Sequence, residues 1–387
     1  MNNTLSRRKW LQTSLSLAGG AALTSALPFT SEAATRCTAF PYELAQSEIA
    51  QKEGGMLLLG SNENPYGPSP KAREAMQEAV LKGNRYANVQ PLVQDVAAFR
   101  GVAPENIVMG AGSAEILGLA ALAFAKTGSD VIAAKPTFFV LPDVAKRLGA
   151  NVVEISVDAD LRHDLSKMAS AVSPRTSVVY VCNPNNPTGT KLEASQIRAF
   201  CEEMSKKAMV VVDEVYHDFI TDASIIPLAA ENPNVIVARS FSKVYGLAGM
   251  RIGYGIAHPT TIKKLQAMQA WSNNAISQVS MAAARASLQD QTFVRMSLEK
   301  IAEGREIVSA YLKSEGIFTV PSFANIVYFA LDKFPASKAQ GGFVKQMEER
   351  NVIIREGLVG ERRFCRVSMG TPEEMRQFVN ILKTLKA

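Results

Sequence analysis

After a variable lead over 34–60, short β-branched apolar runs alternate with longer segments of helical period through about residue 260. The runs NIVMG (106–110), DVIAA (130–134), NVVEI (151–155), SVVYV (177–181), MVVVD (209–213), VIVARS (235–240) and IGYGIA (252–257) predict seven strands. Residues 114–126, 141–148 and 192–207 read as helices between them. Near-continuous apolar strands joined by helices predict an α/β fold, a mostly parallel seven-stranded sheet covered on both faces. From residue 277 the pattern changes to a long helical stretch reaching 315, two weak apolar runs, FTVPS (318–322) and NIVYFAL (325–331), and a terminal helix over 372–385. That part reads as a second, smaller α+β domain.

The first residues follow a different rule. Arg7, Arg8 and Lys9 precede an apolar, Ala/Gly/Leu-rich stretch over 10–29, the layout of a secretory signal. The string SRRKWL resembles the twin-arginine export motif, and Ser31 and Ala33 suit a peptidase site before Ala34. The competing reading is a short amphipathic helix or anchor, but the stretch is too polar for a convincing permanent span. Removal of 1–33 takes away three positive charges and Glu32, so the net charge of the 387-residue chain falls from +6 to +4. At 47% hydrophobic and 20% charged residues the chain is globular rather than disordered. No block of five like charges suggests a nucleic-acid tail. Cys37, Cys182, Cys201 and Cys365 have no CxxC spacing, and only three histidines accompany them, so neither a metal site nor a disulfide framework is expected.

Candidate chemistry gathers at strand ends. In VIVARSFSKVYGLAGMRIGYG a strand runs into a loop holding Ser240, Ser242 and Lys243, with Arg251 downstream. Two hydroxyls and a guanidinium suit a phosphate, and an amine suits an aldehyde as a Schiff base; a solvated lysine in a polar loop fits the same string equally well. Upstream, MVVVDEVY ends a strand at Asp213 with Tyr216 three residues on. A carboxylate at the carboxyl end of a parallel strand faces the crevice where α/β folds bind ligands, and beside a pyridine nitrogen it would keep the ring protonated. NPNNPTG offers the Asn186 amide at another strand end, and GAGSAE opens a helix whose N–H groups at Gly112, Ser113 and Ala114 can hold a phosphate.

The ordered set GAGSAE, KPTFF, NPNNPTG, DEVY and SFSK with a downstream arginine resembles the fold-type I, pyridoxal phosphate (PLP)-dependent class I/II aminotransferases. SNENPYGPSPK (61–71) and RYAN (85–88) resemble their histidinol-phosphate aminotransferase branch. The resemblance spans about residues 55–385 and implies four segments: a signal over 1–33, an arm over 34–70, a cofactor domain over 71–275 and a small domain over 276–387. It makes Lys243 the Schiff-base lysine and later the general base at the substrate α-carbon, and Asp213 the partner of the ring nitrogen. Asn186 and Tyr216 would bond the ring oxygen, Ser113, Ala114, Ser240, Ser242 and Arg251 the phosphate. Phe138 would cover the ring face, where many relatives carry Tyr or Trp. Tyr86 would reach the cofactor of a neighbouring subunit, so a homodimer is implied. At the substrate it implies Asn64, Arg366 for the α-carboxylate, and Arg355 for a distal phosphate or acidic group.

The implied reaction is ping-pong transfer of an amino group between an amino acid, or related amine, and a 2-oxo acid. A decarboxylase or oxidase of the same fold is the alternative, and a non-catalytic periplasmic binding protein a remote one. The export signal implies a periplasmic location rather than a cytoplasmic one, which speaks against histidinol phosphate as the donor, because histidine biosynthesis is cytoplasmic.

Overall fold

A computed structural model describes residues 55–271, 275–335 and 341–385. The predicted signal over 1–33 and the greater part of the 34–70 arm lie outside them. The strands are β1 (Leu57–Leu58), β2 (Ile107–Gly110), β3 (Asp130–Lys135), β4 (Asn151–Ser156), β5 (Thr176–Cys182) and β6 (Met209–Asp213). They continue with β7 (Val235–Ser240), β8 (Gly253–Ile256), β9 (Ile326–Ala330), β10 (Val352–Ile353), β11 (Arg355–Val359) and β12 (Arg362–Ser368).

All seven predicted strands of the first part form one sheet in the order β2-β8-β7-β6-β5-β3-β4. Only β8 runs antiparallel, against β2 and β7. Alternation along the strands fills two cores. Val210, Val212, Val235 and Val237 enter one, while Tyr180, Val211, Ile236 and Ala238 enter the other, beneath the helix Ser113–Phe124. The carboxyl ends of β5, β6 and β7 therefore open side by side on one edge, where Asn186, Asp213, and Ser240 with Lys243 follow them.

The smaller sheet is antiparallel, β11-β12-β9, and β1 pairs in parallel with β10. Leu57 and Leu59 join its core with Val327, Phe329, Phe343 and Phe378. Two expectations change. The stretch over 277–315 is two helices, Gln278–Gln289 and Gln291–Ser314, broken at Asp290, whose side chain takes the Phe293 N–H (3.4 Å) as an N-cap. The first packs on the helix Pro70–Val80 and buries Ala283 and Ala284 in a core of the large sheet; the small core begins at Ile301, within the second helix. FTVPS makes an isolated bridge from Thr319 to Phe329 rather than a strand, in keeping with Pro321, which has no N–H for a ladder.

Candidate active site

The strand ends and the small sheet enclose a cleft of about 330 Å³. Asp213, 1% exposed, forms its floor. Its carboxylate is aimed by the Tyr180 hydroxyl from β5 (3.1 Å) and the Val215 N–H (3.1 Å). Burial pushes its pKa up to about 6, against the pull of those two donors and of Lys243. Lys243 points into the same space, its Nζ 5.6 Å from the centre of the Tyr216 ring. Burial and the neighbouring Arg366 cation push the lysine down to about 8, outweighing Glu63 and Asp213. An amine so placed is unprotonated far more often at neutral pH than an ordinary lysine, as a nucleophile or general base requires. Burial raises the Tyr216 phenol, so it is neutral, and its oxygen accepts from Asn62 Nδ2 at 2.7 Å.

At the other end the lining changes to donors. Ser240 and Ser242 face each other with their hydroxyl oxygens 2.9 Å apart, and the Ser242 N–H bonds Ser240 Oγ at 3.0 Å. Ser113 and Ala114 stand at the positive end of their helix. Arg251, itself left-handed at φ 50°, is held by the carbonyls of Ala248 (2.9 Å) and Ala111 (3.2 Å). Two glycines make this possible: a side chain on Gly112 (φ +83°) would strike the Arg251 guanidinium, and one on Gly253 would stand 2.6 Å from the Ser113 nitrogen. Hydroxyls, helix N–H groups and a guanidinium fit a phosphate, while the amine and buried carboxylate deeper in fit an aldehyde and a ring nitrogen. The residues present therefore suit PLP, group by group.

Phe138 forms part of the wall, its ring centre 5.1 Å from that of Phe139. From the small sheet, Arg366 of β12 donates to Asn186 Oδ1 (2.9 Å) and to the Gly60 carbonyl (2.5 Å), so Asn186 links the two sides of the cleft. Arg355 on β11 is its direct cross-strand neighbour and lines the mouth. Two predicted residues are elsewhere. Tyr86 is 79% exposed, edge-on to Trp271 at 4.7 Å, and outside this cleft. Asn64 turns away from the cleft: its amide is used by the Val244 carbonyl (2.8 Å) and Ser297 Oγ (3.2 Å), and its oxygen takes the Tyr66 N–H (3.0 Å). Asn62 takes the place expected of it, fixed by Ser368, whose Oγ accepts from the Asn62 backbone at 2.7 Å. Asn62 and Tyr180 are the residues that motif reading missed. Tyr180 had a signal, a polar-tipped residue in a buried strand beside the one that ends at Asp213.

A lysine amine, a buried carboxylate and a phosphate cradle at the carboxyl edge of this sheet define the site of a fold-type I PLP enzyme. The family model "Aminotransferase class I and II" matches residues 54–382. The histidinol-phosphate aminotransferase of Moorella thermoacetica is 36% identical over 355 residues, covering 90% of this chain and 89% of that protein. That of Brevibacillus brevis is 35% identical over 337 residues, covering 85% and 90%. The crystal structure of histidinol-phosphate aminotransferase from Sinorhizobium meliloti in complex with pyridoxal-5'-phosphate superposes with a TM-score of 0.80 at 28% identity, covering 90% of this chain and 99% of that one. The chain belongs to the class I and II aminotransferases and is a PLP-dependent aminotransferase.

Proposed function

We propose that the enzyme moves an amino group between a phosphorylated amino alcohol of the histidinol phosphate kind and a 2-oxo acid, in two half-reactions at this one cleft. The observation that carries the reading is the pairing of Arg366 with Arg355 on adjacent strands above Lys243, two cations for two anionic groups. The names of the relatives at 35–36% identity support the same donor, against the expectation drawn from the N-terminal signal, which lies outside the described residues.

Bound PLP supplies an aldehyde for an amine and a ring that takes up electrons from the α-carbon. Lys243 Nζ is the proton carrier, taking the α-proton and returning it one position away. Asp213, oriented by Tyr180, would hold a proton on the ring nitrogen. Asn186 and Tyr216 would donate to the ring oxygen, with Asn62 restraining the Tyr216 hydroxyl. Ser113, Ala114, Ser240, Ser242 and Arg251 would bind the phosphate and so anchor the group independently of Lys243. Phe138 would cover the ring and keep water from that face. Arg366 binds the carboxylate of the oxo acid through its guanidinium fork, and Arg355 binds the distal anion. Tyr86, exposed and edge-on to Trp271, would serve the cofactor of a second copy of the chain.

A donor panel with 2-oxoglutarate and with pyruvate tests this. L-Histidinol phosphate should give turnover with parallel double-reciprocal plots. Arg355→Ala should raise its KM about 10- to 100-fold, one charge-assisted bond or two, with kcat within about threefold. Arg366→Met should raise KM for 2-oxoglutarate by at least that much. Turnover only with unphosphorylated donors would overturn the substrate reading, and release of carbon dioxide or hydrogen peroxide would overturn transamination.

A further inference from the structure

The opposite face of the sheet, beneath the cleft, carries a buried ionic cluster that none of the motifs explains. Because side chains alternate, Asp213 and Ser240 share a face with Val211 and Ala238, whereas Arg239 lies on the face of Val237. Arg239 is 1% exposed. Its Nε and Nη2 reach Glu214 Oε2 at 3.0 and 2.7 Å, and its Nη1 reaches Asp218 Oδ1 at 3.2 Å. Arg100 bonds the same Asp218 oxygen at 2.9 Å and the Tyr254 hydroxyl at 2.8 Å. Glu214 also takes the Ser224 hydroxyl (2.6 Å) and the Ile225 N–H (2.9 Å). Two carboxylates meet two guanidiniums, so the cluster is balanced in charge.

Its members sit next to the residues that the cofactor needs. Glu214 follows Asp213, Asp218 lies two residues beyond Tyr216, and Arg239 immediately precedes Ser240. We propose that Arg239 is a positioning residue of this enzyme: by tying Glu214 and Asp218 together it sets the end of β6, which aims Asp213 and Tyr216, against the end of β7, which aims Ser240 and Ser242. The proposal rests on the reading that those four residues hold PLP. A planar fork can bridge two carboxylates in this way, and an ammonium cannot.

The same contact has an electrostatic consequence. Asp213 is faced by Tyr180 and Cys182 from β5, by Lys243 from the loop after β7, and by Glu214 beside it, whose charge favours the protonated Asp213. Around Glu214 stand Arg239, His217 and Ser224, with Cys201 from the helix Ala194–Met204; around Asp218 stand Arg100, Tyr254, Tyr245 and His217. Loss of Arg239 leaves Glu214 without its main counter-ion, next to the carboxylate that must stay charged.

The test compares wild type, Arg239→Met, Arg239→Lys and the double variant Arg239→Met/Glu214→Gln. Cofactor-free protein is titrated with PLP by visible absorbance, the pH midpoint of the visible band is recorded for the loaded protein, and melting of the cofactor-free protein is followed alongside. Arg239→Met should weaken PLP binding about 30-fold and Arg239→Lys about tenfold, and the Met variant should move the pH midpoint. The double variant has no unpaired carboxylate in the cluster, so its midpoint should return to the wild-type value while binding stays weak. Should the Met variant fail to fold, the lysine and double variants carry the same comparison. Variants that melt earlier but bind PLP within twofold of wild type, with an unmoved midpoint, would reduce Arg239 to a structural role and overturn the proposal. Failure of wild type to bind PLP would strike the cofactor-site reading instead, so the two failures are distinguishable.

Discussion

Lys243→Ala should lower kcat about 10⁴-fold or more, because the variant loses at one stroke the amine that engages the cofactor and the base that moves the α-proton. The loss should be confined to chemistry. The phosphate cradle, Asp213 and Arg366 are all held by other partners, namely Ser240 with Ser242, Tyr180 with Val215, and Asn186 with Gly60. The variant should therefore still take up PLP non-covalently, and its melting temperature without cofactor should equal or exceed that of wild type, since a half-buried amine depressed to about 8 is lost. Presteady-state mixing with donor and exogenous methylamine checks the assignment. Partial rescue by the small amine is expected; retention of more than about a hundredth of wild-type kcat without it would contradict the role.

Asp213→Asn should separate activity from stability with opposite signs. Its carboxyl pKa, raised by burial to about 6 from an ordinary 3.8, means that the folded cofactor-free protein holds a proton that the unfolded chain has released. The sign follows from linkage. The advantage of that bound proton is full below about pH 4 and is lost as pH rises through about 6, leaving above it a penalty on the order of 3 kcal/mol for the buried charge. The asparagine variant carries no such charge, so without cofactor it should melt higher than wild type at pH 8 and show little difference at pH 4. Its kcat should fall about 10³-fold, because a neutral amide cannot keep the ring nitrogen protonated. A variant less stable than wild type at pH 8, or one with kcat within tenfold, would refute this use of Asp213. Strain at a functional carboxylate, relieved when its cationic partner binds, is a familiar exchange of stability for function.

The legible part of the molecule was the part built on strands. Asp213, Ser240 and Lys243 follow apolar runs whose ends open on one edge of a parallel sheet, so VVVD and VARSFSK together already point toward one crevice. The arm was less legible. SNEN carries two asparagines two residues apart, and only the left-handed backbone at Asn62 (φ 56°) together with the bond to Ser368 decides that Asn62 turns to Tyr216 while Asn64 turns to Val244. No periodicity encodes that choice. Asp290 breaks what reads as one long helix, and the helix before it packs on Pro70–Val80, a contact made from far along the chain. Arg239 stood in view as the one charge in VIVARS, yet its reason lies in Glu214, Asp218 and Arg100, on elements that the string does not mention. Buried polar groups need partners, so a lone arginine in an apolar strand is a question that the sequence poses and the fold answers.

The most direct test of the central claim, that this cleft is a PLP site worked by Lys243, is chemical. The yellow protein is reduced with borohydride, digested, and its peptides are mapped by mass spectrometry. The reduced cofactor is expected on a single residue, Lys243, with loss of the visible band; label on another lysine, or a protein that neither becomes yellow with PLP nor takes the label, would contradict it.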